Sequence, residues 1–452
     1  MVGPVLKKRI ITLFILVLLS SCASLQTQVG HYEDIDKYLS KHNYSQAVGE
    51  IEKAREEGKY KKKDRILFYL DMGIALHNAG EYEKSNQYLE MAEKAIEENF
   101  TKSVSRLATS MLLNDNVLDY AGEDYEDIMT NILMALNYLH MNDIEDAMVE
   151  VRKIDTKLSR LEEKYRGMAE KLSESGERNA QFTIGRTDLR YSALGSYLSM
   201  LSYLHLGKYD DARIDRERVE KVTPPGTDKL LHEISNNTDN NGVSVYPLVF
   251  TGKGPVKKPL VLSLDLDPGL NLGRITVPGE KNTNLTFKYK GDSELHFKFA
   301  VPRIEERESR VSEIRFLVDG KCRETLHMIE DYDNVAHKTY NIKKPIIYLR
   351  AGLRTFLKAM ADKKAKEKID EKTEGKDLLG SVLKFAVDVA TDITENADLR
   401  CWRTMFSRAY GGFVSLKPGK YDLTFEFVDD RGRIVDRHRI NNYQVDKNSL
   451  NV

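Results

Sequence analysis

The sequence predicts a multidomain α+β protein in which a stack of helical hairpins precedes a β-sandwich-like domain with two inserted helices. Two observations lead to this prediction. Apolar residues recur at helical spacing through residues 31–223, and they alternate with the two-residue period of strands over much of residues 243–452. Between these regions, residues 224–242 are rich in Pro, Gly and Asn, which is typical of a linker.

The composition argues against several classes of protein. The chain has 452 residues, of which 41% are hydrophobic and 31% are charged, and 69 basic residues nearly balance 70 acidic ones. These proportions argue against a disordered chain and against a polytopic membrane protein. The charge balance also argues against a nucleic-acid partner, because phosphate binding needs a clustered basic surplus.

The start of the chain resembles a bacterial lipoprotein signal. Basic residues at 7–9 precede an apolar run over residues 10–19, which is too short to span a bilayer core. Small residues then lead to Cys22. By this resemblance, residues 1–21 are a signal peptide, Cys22 is the acylated first residue of the mature chain, and residues 22–30 are a lipidated tether. The alternative is an ordinary secretory signal in which the cysteine is incidental.

The lipoprotein signal predicts where the protein is located and that it binds a membrane. A cysteine that carries diacylglycerol and palmitate would hold the chain firmly on a membrane, because each buried acyl CH₂ contributes about 0.8 kcal/mol. We therefore expect a lipid-anchored protein of the bacterial cell envelope. Ala23 follows the cysteine where inner-membrane retention in enterobacteria would use Asp, which favours the periplasmic side of the outer membrane.

Residues of the first half recur in the pattern of tetratricopeptide repeats, in which paired helices pack through small residues. The clearest copy runs from Tyr69 to Ala92, with Gly73 and the anchoring residue Ser85, and a second runs from Tyr203 to Val219, anchored on Ala212. Two weaker copies centre on Ala47 and Ala147. We therefore interpret residues 31–223 as a tetratricopeptide-like α-helical repeat domain.

The gaps between the copies are longer than one repeat and predict additional helices. One is expected over residues 104–113. Another follows Arg152, where apolar residues between Ile154 and Leu172 form a short heptad seam. This seam fits a long helix packed on its neighbour, and it also fits a dimerisation contact.

The first helix of each hairpin forms the concave face on which helical-repeat solenoids usually bind a peptide or a partner helix. Tyr69, Tyr138 and Tyr203 occupy such first-helix positions. They are therefore candidates for partner contacts, although packing within the repeats is the simpler explanation.

The second half reads as short strands interrupted by helices. Asp319-Gly320 lies between two alternating runs and predicts a tight β-hairpin. Apolar faces over residues 346–360 and 378–393 predict two helices, separated by a charged linker at 362–377, within an insertion spanning 346–395. These helices would form a hairpin that covers the sandwich, or an amphipathic pair that presses on lipid or on a partner.

The sequence gives little indication of chemistry. Thr251–Pro255 lacks the spacing of a phosphate-binding loop, the histidines form no HExxH motif, and Glu305-Glu306 lies in a solvated charged run. The sequence therefore predicts no enzymatic activity, no cofactor and no metal site. Cys322 and Cys401 would be able to pair outside the cytoplasm, or they remain free thiols.

The most distinctive string is Asp398–Arg403, which contains the only tryptophan of the chain. Its Arg400, Trp402 and Arg403 are candidates for a partner contact. Burial of a helix end against the sandwich would explain the same residues equally well.

These features together resemble a little-characterised family of bacterial tetratricopeptide-repeat lipoproteins. Besides the cysteine signal, the resemblance rests on Asn114–Tyr125, Ala135–Tyr138, Glu150–Asp155, Gly252–Pro255 and Ala397–Thr404. Members of that family are often encoded near lipoproteins similar to the curli-secretion pore or to a peptidoglycan-synthase activator. The resemblance therefore implies a role in envelope assembly, and it implies no catalytic residues.

The expected function is that of a membrane-anchored protein–protein interaction scaffold in the bacterial cell envelope. One alternative is a structural component of an outer-membrane or secretion complex, with residues 346–393 as the inserting element. A less favoured alternative is a peptidoglycan- or glycan-active enzyme in the second half.

Overall fold

The structure is a computed structural model. It describes residues 30–105, 113–174, 184–223, 226–236, 242–279, 285–288, 294–372 and 397–452. Cys22, the signal peptide and most of the tether lie outside these residues, as does the predicted helix at 378–393. Within the described residues the fold is mixed, with helices first and antiparallel sheets mainly after them.

Helices fill the described part of the first half, as predicted. Their bounds are α1 Tyr32–Leu39, α2 Tyr44–Glu56, α3 Arg65–Asn78, α4 Tyr82–Ser105, α5 Asp124–His140, α6 Ile144–Glu174, α7 Ala193–His205, α8 Tyr209–Val222 and α9 Thr227–Ser235. The first eight pack as consecutive pairs: α1 with α2, α3 with α4, α5 with α6, and α7 with α8. A long helix, α10, spans Tyr332–Lys372 in the second half.

The strands form antiparallel sheets. Their bounds are β1 Val243–Val245, β2 Leu248–Thr251, β3 Val256–Asp267, β4 Leu272–Thr276, β5 Leu285–Lys288, β6 Leu295–Glu305, β7 Glu313–Val318, β8 Lys321–Thr325, β9 His327–Asp331, β10 Arg408–Gly411, β11 Val414–Leu416, β12 Gly419–Val428 and β13 Ile434–Val445. The strand orders are β1-β11, β2-β10-β9, β13-β12-β7-β8 and β5-β4-β3-β6.

Small residues lie where the paired helices meet. All four residues that anchor the repeat pattern are buried: Ala47, Ser85, Ala147 and Ala212. In the second pair, the hydroxyl of Ser85 donates to the carbonyl oxygen of Gly73 at 2.7 Å. A Cβ atom at Gly73 would lie 2.5 Å from the side chain of Leu89. The helices α3 and α4 therefore approach each other at a point where only glycine fits.

The heptad seam is buried within this chain. Helix α6 continues without a break from Ile144 to Glu174. Leu161, Tyr165 and Met168 of the seam share one apolar core with residues of β3, β4, β6 and α10. The seam therefore packs inside the molecule, which favours the long-helix interpretation over a dimerisation contact.

Fewer strands pack in a sandwich-like arrangement than the sequence predicted. Strands β1, β2, β7 and β10–β13 share one core in which strands pack on strands. The β5-β4-β3-β6 sheet instead packs its inner face, including Leu264 and Phe299, on helices α6 and α10. The second half therefore contains one sheet covered by helices beside a sandwich-like group of strands.

The helical insertion begins earlier than predicted and has no linker at residue 362. Helix α10 is a single helix of 41 residues that contains Pro345. Val335 and Tyr340 are buried before the proline, and Leu349 and Leu353 are buried after it, so the same helix is held by the core on both sides. The predicted start at residue 346 was wrong because burial maintains the helix despite the lost hydrogen bond of the proline.

The predicted linker also contains structure. Helix α9 lies within residues 224–242 and buries Leu230, Leu231 and Ile234. Helix α9 packs on α8 and β9. Among the described helices, none combines the length and the apolar character that crossing a membrane requires.

The hairpin at Asp319-Gly320 is confirmed. Strands β7 and β8 pair on either side of it. Asp319 and Gly320 both have positive φ, at 49° and 72°, as the tightest hairpin turns require.

Replacing Gly73 with valine should destabilise the helical half by about 1–3 kcal/mol, because the branched side chain would overlap Leu89. Urea unfolding followed by circular dichroism measures this loss. Gly49→Val in α2 is the matched control, since nothing lies within 4 Å of a Cβ atom there and valine has the better helix propensity. Equal midpoints for the two variants would contradict the close approach of α3 and α4.

Candidate functional site

A segment from the second half, residues 397–407, covers one face of the helical half. Trp402 in this segment is completely buried. Its backbone N–H donates to Oε1 of Glu126 on α5 at 2.6 Å. The hydroxyl of Thr404 donates to Oδ1 of Asp71 on α3 at 2.6 Å. The 397–407 segment therefore occupies the face of α3 and α5, which are the first helices of their pairs.

Arg400 fixes the start of this segment. Its guanidinium donates to Asp64 at 2.9 Å and to Asp398 at 2.8 Å, and it also reaches the backbone carbonyls of Asp115 and Leu118 at 2.9 and 3.0 Å. Burial opposes ionisation of Asp398, but the charge of Arg400 outweighs it and lowers the pKa of Asp398 to about 2. Arg400 thus links the segment to the helical half through buried, charged hydrogen bonds.

Arg403 is half-buried and also makes internal contacts. Its guanidinium lies 5.6 Å from the ring centroid of Tyr32 on α1. Its backbone carbonyl accepts a hydrogen bond from Arg307 at 2.6 Å. Arg400 and Trp402 of the predicted partner contact are therefore buried in internal contacts, whereas Arg403 is partly exposed and its role in partner contact stays a prediction. Burial describes Arg400 and Trp402 better, although they lie in a segment without regular secondary structure and not at a helix end.

The three candidate tyrosines lie on separate helices, and each packs partly on the helical core. Tyr69 on α3 lies 6.4 Å from the ring of Tyr88. Tyr203 on α7 lies 6.0 Å from the ammonium group of Lys208. Burial and the charge of Glu90 raise the pKa of Tyr138 on α5. All three side chains remain partly exposed, so a role in partner contact stays a prediction.

Two buried carboxyl groups accept hydrogen bonds from the 397–407 segment. Glu126 accepts hydrogen bonds from the Trp402 amide, from the Tyr120 hydroxyl at 2.8 Å and from the Glu123 amide at 3.0 Å. Burial, together with the charge of Glu123, raises the pKa of Glu126 to about 7. Burial likewise raises the pKa of Asp71 to about 6.

A cavity of about 210 Å³ lies beside the segment, where α4, α6, β3 and α10 meet. We call it the junction cavity. Lys257 and Lys343 contact Glu123 there at 2.7 and 2.5 Å, and Lys164 contacts Asp124 at 2.8 Å. Burial opposes ionisation of Glu123, but the two lysines outweigh it and lower its pKa. These ion pairs connect the start of α5 to β3, α6 and α10.

The charged groups of the junction favour a structural role over acid–base chemistry. A carboxyl group with a pKa near 7 is often a general acid or base when it faces a cleft. Glu126, however, is not among the described residues that line the junction cavity. Glu123 and Asp124 do line it, but both have lowered pKa values and both are paired with lysines. Ion pairing between the two halves accounts for these charges.

A larger cleft of about 520 Å³ continues from the junction between α4 and α6, and we call it the α4–α6 cleft. One wall carries Glu90, Glu93 and Glu97 of α4, with Lys94 among these mainly acidic residues. The other carries basic residues spaced along one face of α6: Lys153, Lys157, Arg160 and Lys164. Lys157 bridges the walls, contacting both Glu93 and Asp127 at 2.7 Å. The cleft therefore presents two rows of opposite charge.

A contact that the sequence did not predict caps α7. Glu330 on β9 accepts hydrogen bonds from the Ser192 hydroxyl at 2.6 Å and from the amides of Ala193 and Leu194 at 3.0 and 3.1 Å. A carboxylate at a helix N-terminus satisfies free N–H groups and the helix dipole. No local sequence signal identifies this cap, because Glu330 is 138 residues away from Ser192.

The cysteines and the potential metal ligands have no joint site in the described residues. Cys322 is exposed on β8 and Cys401 is buried, and both are free, so the disulfide alternative was wrong. Burial raises the pKa of the Cys401 thiol to about 11. Within the described ranges, no group of three or more His, Cys, Asp or Glu side chains is placed to hold a metal ion.

Glu126 should make stability depend on pH. Its pKa of about 7 lies above the ordinary value of 4.5, so the folded state binds the proton more tightly than the unfolded state. This tighter proton binding adds to the free energy of unfolding below pH 4.5, and the contribution is lost as the pH rises through 7.

We therefore expect the free energy of unfolding of the wild type, minus that of Glu126→Gln, to fall by about 3 kcal/mol between pH 4.5 and 8. Urea titrations across this range measure the difference. Glu97→Gln, at an exposed position on α4, controls for the loss of one surface carboxyl group. A constant difference between wild type and Glu126→Gln would disprove the assignment.

Comparisons with models of protein families, with curated proteins and with solved structures gave no match for this chain.

Proposed function

We propose that the protein is a lipid-anchored interaction scaffold of the bacterial cell envelope and that it does not catalyse a reaction. In this proposal, an acylated Cys22 supplies the anchor and the paired helices are tetratricopeptide-type repeats that supply the binding platform. The repeat assignment is supported by the buried small residues at the anchoring positions and by the close approach of α3 and α4 at Gly73.

The observation that carries the proposal is the position of the 397–407 segment. Because Trp402 and Arg400 are buried against α3 and α5, the face on which a repeat domain would usually hold a partner is already covered. The two halves are thereby joined by buried charged and aromatic contacts. A partner of this platform must therefore bind on another surface.

We assign the partner to the α4–α6 cleft. Its two rows of opposite charge would orient a partner segment that carries both acidic and basic side chains, because complementary charges determine register and specificity. Arg160 is exposed on the basic wall. Tyr138 lies near Glu90 of the acidic wall, as the effect of that carboxylate on its pKa indicates. A partly exposed tyrosine beside such a cleft is the type of residue that often dominates binding energy.

The alternative functions have less support. The proposed membrane-inserting element spans residues 346–393. In its first helix Ile346, Leu349 and Leu353 are buried against the β5-β4-β3-β6 sheet, and its second helix lies outside the described residues. An enzyme would need an accessible group poised for proton transfer, whereas Glu126 is enclosed and Glu123 is paired with Lys257 and Lys343. We therefore retain the scaffold as the single proposal.

Photo-crosslinking in intact cells tests the proposal. A photoreactive amino acid at position 160 of the full chain should give one discrete adduct with an envelope protein. The same residue at position 270, where Leu270 is 65% exposed near the β3–β4 turn, is the matched control and should give none. Tyr138→Ala should weaken the adduct at position 160 several-fold, and Cys22→Ser should move the protein out of the membrane fraction.

One result would contradict the partner site, and another would contradict the lipid anchor. Failure of position 160 to give an adduct, or adducts of equal intensity at positions 160 and 270, would remove the α4–α6 cleft as the partner site. Retention of Cys22→Ser in the membrane fraction would remove the lipid anchor.

A further inference from the structure

Cationic side chains converge on the junction cavity, and most of them are neutralised at short distance. Lys102, Lys164, Lys257, Lys343, Arg350 and Arg400 all line it. Four of these contact carboxylates at 2.9 Å or less: Lys164 at Asp124, Lys257 and Lys343 at Glu123, and Arg400 at Asp64 and Asp398. Lys102 lies 3.8 Å from Glu98, but its side chain is 45% exposed, so Arg350 is the largely buried cation of this set without a carboxylate within 2.9 Å.

Arg350 on α10 is largely buried and has few hydrogen-bond acceptors. Its side chain is only 13% exposed, and its Nε atom is buried without a hydrogen-bond acceptor. Its Nη2 atom lies 3.5 Å from Oδ1 of Asp115, and the same oxygen is shared with Arg354 at 3.3 Å. The side chain of Asp115 is 36% exposed, so solvent weakens this shared pair.

The Nε and Nη atoms of a guanidinium form an edge with two parallel donors, which matches the paired oxygens of a carboxylate or a phosphate. In Arg350 this edge carries the unpaired Nε atom. The side chain thus has the donor geometry for an oxyanion and lacks a strong internal acceptor.

The remainder of the junction cavity suits a small ligand with an apolar part. Its walls include Ile96, Phe100, Met168 and Ile347 beside the charged groups. Its volume of about 210 Å³ suits a small ligand. Asp119 also lines the cavity at an exposed position, which disfavours ligands with several negative charges.

We propose that the junction cavity is a binding site for a small oxyanion, a carboxylate or a phosphate group, held by Arg350 as its bidentate anchor. Apolar contact with Phe100 and Ile347 favours a carboxylate that carries a short hydrocarbon chain. This site shares Ile96, Phe100, Asp124 and Lys164 with the α4–α6 cleft, but its anchor Arg350 is not among the described residues that line that cleft.

Calorimetric titration of the full mature chain with two probes, pentanoate and inorganic phosphate, tests the proposal at constant ionic strength with chloride as the reference anion. At least one probe should bind saturably. Arg350→Gln should weaken its binding at least tenfold, and Arg350→Lys, which keeps the charge but loses the two-donor edge, should restore only part of it. Arg213→Gln, an exposed arginine of α8 that lines neither the junction cavity nor the α4–α6 cleft, should bind as the wild type does.

A second variant works in the opposite direction, so that a folding defect in Arg350→Gln does not leave the proposal without a test. Asp115→Asn removes the competing charge from Arg350 and should raise affinity for the probe. Stronger binding of pentanoate than of phosphate would identify an organic acid as the ligand class, and the reverse would identify a phosphate. Absence of binding by both probes, or unchanged affinity in Arg350→Gln or in Asp115→Asn, would overturn the proposal.

Discussion

The structure depends on the burial of the 397–407 segment against α3 and α5. Trp402 is completely buried, and an aromatic side chain of this kind removes about 150–250 Å² from water, which is worth roughly 4–6 kcal/mol as an upper estimate. Arg400 adds buried charged hydrogen bonds to Asp64 and Asp398. Removing one partner of such a pair typically costs about 3–5 kcal/mol. These contacts hold the two halves of the chain in one arrangement.

The charges around the junction follow from this burial. Glu126 and Asp71 have raised pKa values because they are enclosed while they accept hydrogen bonds from Trp402 and Thr404. Glu123 has a lowered pKa because Lys257 and Lys343 outweigh its burial. The shifted pKa values of these carboxyl groups therefore indicate a buried network of hydrogen bonds and ion pairs that joins helices and strands. Among the described cations that line the junction cavity, Arg350 is largely buried and has only a weak acceptor in Asp115.

Local signals in the sequence predicted much of the fold. Gly73 and Ser85 identified the paired helices because close helix packing needs small side chains at fixed spacing, and Asp319-Gly320 identified a hairpin because its turn needs positive φ. Helix α10 was predicted to start too late because tertiary burial overrides the local effect of Pro345. The string Asp398–Arg403 was also recognised as distinctive, but its packing on α3 and α5 was not predicted, because the acceptors Asp71 and Glu126 are hundreds of residues away in sequence.

Trp402 is the only tryptophan of the chain, so its fluorescence measures directly whether the 397–407 segment covers the helical half. In the native protein we expect blue-shifted emission and an acrylamide quenching constant several-fold below that of the urea-unfolded chain, because the indole is completely buried. Quenching as strong as in the unfolded chain, while circular dichroism shows intact helices, would contradict the account.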